Sequence, residues 1–212
     1  MNSNLRGRVG LFGGTFSPLH NAHLKVALTA MEQCGLSEIV FIPNGIPPHK
    51  QVESGVRKED RLHMVQLAVR DLPNCSVSRI EIDRDGPSYT IDTIRALKDD
   101  YPQGICFIVG ADRLLELSTW REPEALLRSV PFVIAPRSGV CLDAFDVTPY
   151  ENAQIVPLEM EEVDLSSSAM RERIHQGLPI DVEVPAAVVE YIRKHGLYQG
   201  TMTGSKSLEQ GG

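Results

Sequence analysis

The sequence predicts an α/β fold with a doubly wound, mostly parallel sheet and helices on both faces. Three observations predict this fold class. Apolar runs of strand length alternate with segments of helical periodicity, as in chains built from strand–helix–strand units. The first run, 9–12, leads through two glycines into a helical segment. Another run, 105–109, ends in Gly110-Ala111-Asp112, which places an acidic residue where a Rossmann-like sheet changes strand order.

The first half of the chain alternates strands and helices around one long loop. The helix after the glycine turn ends at Gly35. Residues 39–43 then form a buried strand, and 44–55, rich in Pro, Gly and Asn, form a loop of unusual length. Residues 58–69 form an amphipathic helix, and 75–82 alternate apolar and polar side chains as an edge strand does. The apolar face of the first helix comprises Leu24, Ala27, Leu28 and Met31.

The second half continues the same alternation. Residues 85–87 form a turn, and Ser88 or Thr90 caps a helix that runs to Asp100. The run 105–109 is a central strand beside the first strand. The remaining predicted elements are strands at 131–135 and 155–158, a mobile surface segment without a site at 140–154, and a final amphipathic helix at 185–195 that ends at Gly196.

Composition and charge narrow the class of protein. The length of 212 residues suffices for one well-buried domain. We expect a single domain over 1–198 and a disordered tail over 199–212, which is rich in Gly, Ser and polar residues. The net charge of -7 argues against binding to nucleic acid or to an anionic membrane. With no secretory signal and no run long enough to span a bilayer, the predicted location is the cytoplasm.

The cysteines argue against a metal centre or a disulfide framework. None of the four lies in a C-x-x-C spacing, so we expect neither structural zinc nor disulfides, and no protein-bound metal site. Nothing in the sequence predicts an oligomeric state. The cysteines are Cys34, Cys75, Cys106 and Cys141.

The segment 13–23, GGTFSPLHNAH, is the strongest indication of chemistry. Gly13 and Gly14 let the backbone pass close to a ligand, and the free N–H groups at the start of the next helix favour an anion. His20 and His23 are three residues apart, so both can reach one phosphate group. The segment lacks G-x-G-x-x-G, and the second strand ends without an acidic residue, so dinucleotide binding of the usual kind is not favoured.

A second anion-binding pattern lies at 164–171, DLSSSAMR. Its serines are typical helix N-caps, and the same hydroxyl and N–H groups can also face an anion that Arg171 neutralises. With the histidines and with Lys50 in the long loop, this pattern describes a triphosphate site that has no nucleophile of its own. On the residues alone, Lys50 fits a solvated lysine equally well, and Arg61 faces away from the apolar stripe of its helix or toward a cleft.

The segment 13–23 resembles the G-G-T-F-x-P-x-H-x-x-H signature of the nucleotidyltransferase superfamily, in particular of its bacterial nicotinate-nucleotide adenylyltransferase branch. Further segments resemble that family in the same order, and the resemblance covers about residues 8–198. It implies transfer of the adenylyl group of ATP to nicotinate mononucleotide, giving deamido-NAD and pyrophosphate, in NAD biosynthesis. The further segments are 44–50 (NGIPPHK), 86–93 (GPSYTIDT), 110–112 (GAD) with Trp120, and 166–171 (SSSAMR).

The resemblance also implies roles for individual residues. His20 and His23 bind the phosphates as charge builds on them. Lys50 and Arg171 hold the leaving pyrophosphate, and Mg²⁺ is carried by the substrate phosphates and water. The expected ATP-binding residues are Gly13, Gly14, Thr15, Phe16, His20, His23, Gly110, Asp112, Arg137, Ser167, Ser168 and Arg171. The expected nicotinate-nucleotide-binding residues are Gly14, Thr15, Lys50, Thr90 and Trp120.

Three of these residues have a second interpretation. Thr90 either caps a helix or lies beside the pyridine nucleotide, and Trp120 either packs in the core or stacks on the pyridine ring. Asp112 either accepts hydrogen bonds from ribose hydroxyls or caps the next helix. The chain departs from the family pattern at Ser17 (usually Asp), Ser138 (usually Pro), Ser168 (usually Thr) and Met170 (usually Ile).

Two alternative functions remain open from the sequence. One is an adenylyltransferase for another acceptor, nicotinamide mononucleotide or a different phosphate monoester. The other is a nucleotide-binding regulatory module without catalysis, which predicts the loss of a histidine or of Arg171. His20, His23 and Arg171 are all present, which favours the enzyme.

Overall fold

Six parallel strands form one sheet in the order β3-β2-β1-β4-β5-β6. The computed structural model describes residues 5–47, 55–145, 149–150, 153–162 and 165–199. The strands are β1 Val9–Gly14, β2 Glu38–Pro43, β3 Cys75–Val77, β4 Ile105–Gly110, β5 Phe132–Ala135 and β6 Ile155–Pro157. The helices are α1 Asn21–Cys34, α2 Lys58–Val69, α3 Thr90–Leu97, α4 Ala111–Leu115, α5 Pro123–Ser129, α6 Ser167–His175 and α7 Ala186–His195.

The strand order changes direction between β1 and β4. The chain starts in β1, moves outward through β2 to β3, returns to pair β4 with β1, and moves outward again through β5 to β6. In the register, Val9 of β1 lies beside Glu38 of β2 on one side and Ile105 of β4 on the other. The predicted doubly wound parallel sheet is thereby confirmed, with its switch point between β1 and β4.

Alternate side chains of each central strand enter two different cores. In β4, Phe107 packs on one face of the sheet with Ile94 of α3 and Leu126 of α5. Its neighbour Ile108 packs on the opposite face with residues of α1 and α2, among them Val65. Since strand side chains alternate between faces, a continuous apolar run is what a strand covered on both sides requires.

A third apolar cluster joins the C-terminal helices to α2. Met64 of α2 packs with Met170 of α6 and Val188 of α7. This packing brings the start of α6 close to the loop after β1, because the Ser167 hydroxyl donates to the Pro18 carbonyl at 3.0 Å. The cluster therefore positions the second anion-binding pattern beside the first.

The predicted strand at 75–82 is wrong beyond Val77. Only Cys75–Val77 pairs with β2, and the following residues form a turn in which the Asp83 amide donates to the Arg79 carbonyl at 2.9 Å. An ion pair between Arg79 and Asp83, 2.7 Å long, spans the same turn. The turn carries Glu81 and Ile82 into the interior, so the alternation of apolar and polar residues reflects a buried turn and not a longer strand.

The segment predicted as a surface segment, 140–154, includes two buried aromatic residues among those that the structure describes. Phe145 and Tyr150 are buried in the core on the α3–α5 side of the sheet. The Tyr150 hydroxyl donates to the Leu114 carbonyl at 2.9 Å. These two aromatic residues are therefore core residues, which the mixed composition of the segment does not indicate.

Three smaller expectations also need correction. Leu28 is 42% exposed, and the buried face of α1 is formed mainly by its alanines. Tyr89 and not Ser88 or Thr90 occupies the N-cap position of α3, without a side-chain cap, because the Ser88 hydroxyl accepts from the Gly45 amide. The helix itself ends at Leu97, and a 3-10 turn continues it to Asp100.

The ends of the helices agree with the sequence prediction. Gly35 and Gly196 follow α1 and α7 in the left-handed conformation, with φ of 64° and 60°. None of the helices in the described ranges is both long and apolar enough to cross a membrane. The predicted tail, 199–212, lies outside the described residues except for Gln199, so it stays a prediction.

Candidate active site

A cleft of about 530 Å³ opens at the carboxyl ends of the central strands. Its walls come from the loops that follow β1, β2, β4 and β5 and from the start of α6. All of the sequence-predicted site residues except Lys50 line this one cleft. Lys50 lies in the segment 48–54, outside the described residues. The lining residues that the sequence predicts are Gly13, Gly14, Thr15, Phe16, His20, His23, Thr90, Gly110, Asp112, Trp120, Arg137, Ser167, Ser168 and Arg171.

The glycine turn is closely packed from within the protein. A Cβ at Gly14 would lie 2.8 Å from the ring of Phe16, and one at Gly13 would lie 3.0 Å from the ring of Phe107. Such distances are too short for ordinary contacts. A larger residue at either position would have to displace the ring of Phe16 or Phe107, and the expected role of the two glycines in the approach of a ligand stays a prediction.

His20 and His23 form a stacked pair at the start of α1. Their ring centroids are 3.8 Å apart, and the rings are inclined by 28°. The His20 backbone N–H donates to Nδ1 of His23 at 3.2 Å. Because Nδ1 of His23 must accept this bond, the neutral ring carries its proton on Nε2, where it can serve as a hydrogen-bond donor.

Both imidazoles favour the neutral form. Burial, and secondarily the Arg137 guanidinium, lowers the pKa of His20 to about 4. Burial also holds the pKa of His23 well below its usual range, with His20 and Arg137 adding to the effect. The pair is thus a set of neutral donors and acceptors before a ligand arrives. Nδ1 of His20 is buried and has no hydrogen-bond partner within the described ranges.

The first turn of α6 carries hydroxyl groups and a guanidinium toward the same loop. Ser166 is the N-cap, and its hydroxyl accepts from the Ala169 amide at 3.1 Å. Arg171 donates to the Ser17 carbonyl at 2.9 Å and to the Ser168 hydroxyl at 3.1 Å. Ser167 and Ser168 line the cleft, so the serines both cap the helix and contribute to the wall.

Asp112 and Arg137 face each other across the ends of β4 and β5. The Nε atom of Arg137 lies 3.7 Å from Oδ1 of Asp112, and the Asp112 side chain is 46% exposed. Asp112 is the second residue of α4 and does not cap it, since Gly110 holds the N-cap position without a side-chain cap. The interpretation of Asp112 as a helix cap is therefore wrong, and its hydrogen bonding to ribose hydroxyls stays a prediction.

Thr90 and Trp120 line the cleft together with Tyr89 and Arg121. Trp120 is partly buried and meets Phe107 edge to face, with 6.5 Å between ring centroids. The Arg121 guanidinium lies 4.8 Å from the centre of the Tyr89 ring. Trp120 packs against the core as one interpretation expects, and it also lines the cleft, where its stacking on a pyridine ring stays a prediction.

Glu81 is a buried acid in the cleft wall that the sequence does not single out. It is 4% exposed, and its carboxylate accepts from the Thr93 hydroxyl at 2.7 Å and from the Asn44 amide at 3.3 Å. Burial raises its pKa, although these hydrogen bonds oppose the shift. Since an ionised carboxylate only accepts, the NH₂ group of Asn44 must face it.

The contacts of two further residues, Tyr198 and Arg61, could not be predicted from the sequence, although Arg61 faces the cleft loops as one of its two interpretations expects. The Tyr198 and Ser17 hydroxyls are 2.9 Å apart, although the residues are 181 positions apart in sequence. Ser17, which stands where the family usually has Asp, is buried by this contact. Arg61, 1% exposed, donates to carbonyl groups of two cleft loops. A charged residue within an amphipathic helix was the one available signal for Arg61.

In the described part of the chain, no three His, Cys, Asp or Glu residues are grouped so that they could hold a metal ion. The acidic residues that line the cleft there are Glu81 and Asp112. The donor set suits a ligand that brings its own cation more than a metal cage of protein carboxylates.

This chain is similar in sequence to known proteins over most of its length. The cytidylyltransferase-like family model matches residues 11–173. A probable nicotinate-nucleotide adenylyltransferase from Carboxydothermus hydrogenoformans is 42% identical over 198 residues, covering 91% of this chain and 98% of that protein. The nicotinate-nucleotide adenylyltransferase of Bacillus subtilis is 38% identical over 193 residues, with the same coverage of 91% and 98%.

A solved structure shares the fold at low sequence identity. It is the Plasmodium falciparum nicotinic acid mononucleotide adenylyltransferase complexed with NaAD, with a TM-score of 0.76, 18% identity and coverage of 91% of this chain and 98% of that one. The likeness confirms the Rossmann-like α/β architecture. From the family match and the relatives at 42% and 38% identity, the chain belongs to the cytidylyltransferase-like family and, within it, to the nicotinate-nucleotide adenylyltransferases.

Proposed function

We propose that the chain transfers the adenylyl group of ATP to nicotinate mononucleotide, forming deamido-NAD and releasing pyrophosphate, as a step of NAD biosynthesis. The observation that carries the proposal is the composition of a single cleft. It combines a histidine pair and a serine- and arginine-bearing helix start, suited to phosphates, with Thr90 and Trp120, suited to a planar ring. The names of the relatives at about 40% identity support the same reaction.

The proposed chemistry is one direct displacement. A phosphate oxygen of nicotinate mononucleotide attacks the α-phosphorus of ATP, a new P–O bond forms, and the bond from the α-phosphorus to the oxygen that bridges it to the β-phosphorus breaks. Pyrophosphate leaves with that electron pair. No side chain is bonded to the substrate, so positioning and charge neutralisation supply the catalysis.

Each group has a defined task in this proposal. The N–H donors of His20 and His23 bind phosphate oxygens, whose negative charge grows in the transition state. Arg171 and Lys50 neutralise the leaving pyrophosphate. Arg137, Ser167 and Ser168 complete the ATP side together with the Gly13–Phe16 turn, Gly110 and Asp112. Magnesium enters bound to the triphosphate as part of the substrate, consistent with a cleft whose acids are few.

The acceptor is proposed to lie between the glycine turn and the start of α3. Gly14, Thr15 and Thr90 contact the mononucleotide, Trp120 stacks on its ring, and Lys50 approaches from the long loop. Arg121 lines the same wall, where its guanidinium lies 3.9 Å from the carboxylates of Asp92 and Glu122. Nicotinamide mononucleotide is the second candidate acceptor, and the proposed location is the cytoplasm, where ATP is available.

A substitution of His23 tests the assignment of the histidine pair. With ATP, Mg²⁺ and nicotinate mononucleotide, His23→Ala is expected to reduce kcat for deamido-NAD formation at least 100-fold, which corresponds to the loss of about 3 kcal/mol of transition-state stabilisation. Product is followed by chromatography. The control is His175→Ala, since His175 is exposed at the end of α6, and it should retain wild-type turnover. Wild-type kcat in His23→Ala would exclude the proposed role.

A further inference from the structure

Arg61 is buried directly beneath the cleft, where charged side chains are uncommon. It lies on α2 and is 1% exposed. Its Nη1 atom donates to the Thr15 carbonyl at 3.0 Å, and its Nη2 atom donates to the Gly45 carbonyl at 2.8 Å. One guanidinium thus joins the loop after β1 to the loop after β2.

The two carbonyl groups belong to different loops, and the loop of Gly45 is also bonded to the segment before α3, where the Ser88 amide donates to the Ile46 carbonyl at 2.8 Å. Thr15 and Gly45 lie outside the strands and helices, immediately beyond the paired ends of β1 and β2. The Asn44 amide donates to the Gly14 carbonyl at 2.9 Å, and the Gly45 amide donates to the Ser88 hydroxyl at 3.1 Å. Because the guanidinium fork is planar and rigid, it sets the spacing between the two loops.

The wall at Gly45 leaves little room for a change in this spacing. A Cβ at Gly45 would lie 2.0 Å from the Glu81 carbonyl oxygen. Gly45 therefore fits between the backbone of Glu81 on one side and the guanidinium of Arg61 on the other. A shift of this loop would also move Ser88 and the start of α3, which carries Thr90.

Stability alone is a weak reason for burying a cation here. Desolvation lowers the pKa of Arg61, and its Nε atom has no hydrogen-bond partner among the residues that the structure describes. The two hydrogen bonds oppose this cost, because without Arg61 the Thr15 and Gly45 carbonyls would lose a donor. The geometry of the two carbonyl contacts is what an apolar side chain would lose.

We infer that Arg61 is a positioning residue for the acceptor: its guanidinium holds the Thr15 and Gly45 carbonyls at a fixed spacing and so sets the width of the cleft where nicotinate mononucleotide binds. Arg61 touches no substrate in this account. The inference rests on the proposed function and adds a group that acts on the substrate only through the backbone of two loops.

Two substitutions of Arg61 separate this role from a purely structural one. Arg61→Lys retains the charge but cannot bond both carbonyls in the same fork, and Arg61→Met removes the charge at similar length. Both variants are expected to raise KM for nicotinate mononucleotide at least tenfold at saturating ATP. The matched control is Arg70→Lys at the exposed end of the same helix, which should leave KM unchanged.

Thermal unfolding and ligand binding complete the test. A lower melting temperature with an unchanged KM in the folded Arg61→Lys variant would overturn the inference, as would full rescue of KM by lysine. If both variants fail to fold, Ser88→Ala, which removes the hydroxyl that holds the Gly45 amide, should raise the same KM severalfold, and an unchanged KM there would overturn the inference. Quenching of Trp120, the single tryptophan, gives Kd for nicotinate mononucleotide without turnover.

The two proposals fail in different ways. Wild-type protein that neither binds nicotinate mononucleotide nor releases pyrophosphate would overturn the proposed function, and the inference would fall with it. Active wild-type protein with an Arg61→Lys variant of equal KM and Kd would overturn only the positioning role.

Discussion

The stacked imidazoles of His20 and His23 show how one residue's environment sets another's charge. At 3.8 Å between ring centroids, protonation of either ring disfavours protonation of its neighbour, and burial disfavours both. If the proposed triphosphate binds at this pair, we expect its negative charge to favour the protonated forms. The pair is therefore suited to respond to an anion that is absent from the free site.

The lowered pKa of His20 predicts a dependence of stability on pH. The pKa is about 4 in the folded chain, against about 6.5 for a histidine in an unfolded chain. Between these values only the unfolded chain takes up the proton, so the free energy of unfolding falls as pH decreases from 6.5 to 4. The full contribution of His20 is about 3 kcal/mol, an order-of-magnitude figure from the size of the pKa difference.

Urea unfolding of the wild type and of His20→Gln measures this contribution. The two chains share their other titrating groups, and because His20 also helps to lower the pKa of His23, the difference between their free energies of unfolding reports His20 together with its effect on His23. We expect the stability of His20→Gln to fall less steeply between pH 6.5 and 4 than that of the wild type. Parallel profiles would show that His20 titrates normally. His175→Gln, an exposed histidine, should follow the wild-type profile.

Site residues could be predicted from the sequence where the residues that act together are neighbours in the chain. The histidine pair, the glycine turn and the Ser166–Arg171 segment are each read from neighbouring residues, and the structure places them in one cleft. The contacts of Arg61 and Tyr198 could not be predicted in this way. Their partners, Gly45 and Ser17, are set by the packing of distant segments, which no local pattern records.

At the scale of elements, helix α6 links stability to the site. Its N-cap serine satisfies an amide of the first turn, and that same turn presents Ser168 and Arg171 to the loop after β1. The start of α6 therefore has to be ordered for Arg171 to reach the Ser17 carbonyl. Loss of this N-cap is therefore expected to destabilise the start of α6 before it affects the sheet.

Replacing the N-cap is expected to have a measurable cost. Ser166→Ala should lower the free energy of unfolding by about 1 kcal/mol, because the Ala169 amide loses its side-chain acceptor. For a domain of this size that corresponds to about 2–4 °C in Tm by calorimetry. Ser129→Ala, at the exposed end of α5, should change Tm by less. An equal Tm for Ser166→Ala and the wild type would contradict the capping role.

The elements also show what a sequence pattern can and cannot predict. Helix α2 has the predicted bounds, since its apolar spacing and the glycine-poor segment leave no competing structure. The prediction of a strand over 75–82 failed because the alternation of apolar and polar residues does not distinguish a strand from a turn closed by Arg79 and Asp83. The burial of Phe145 and Tyr150 in the segment 140–154 was missed because they pack as isolated aromatic residues without periodicity.

At the scale of the whole molecule, the order of the strands creates the site. β1 and β4 are parallel neighbours, but β1 connects to β2 on one side and β4 connects to β5 on the other. The loops after these two strands therefore diverge and open a cleft. The helices of the C-terminal region then close one side, through the cluster that joins α2, α6 and α7. Fold class and cleft position were predictable from the runs at 9–12 and 105–109, since parallel sheets place their ligands at this edge.

The acceptor preference of the purified chain tests the central claim most directly. Pyrophosphate release is measured with ATP and Mg²⁺, first with nicotinate mononucleotide and then with nicotinamide mononucleotide, and kcat/KM is compared. We expect at least a tenfold preference for the nicotinate substrate, with deamido-NAD as the product. Equal values would retain adenylyl transfer but contradict the substrate, and no release with either would contradict the assignment of the cleft as an adenylyltransferase site.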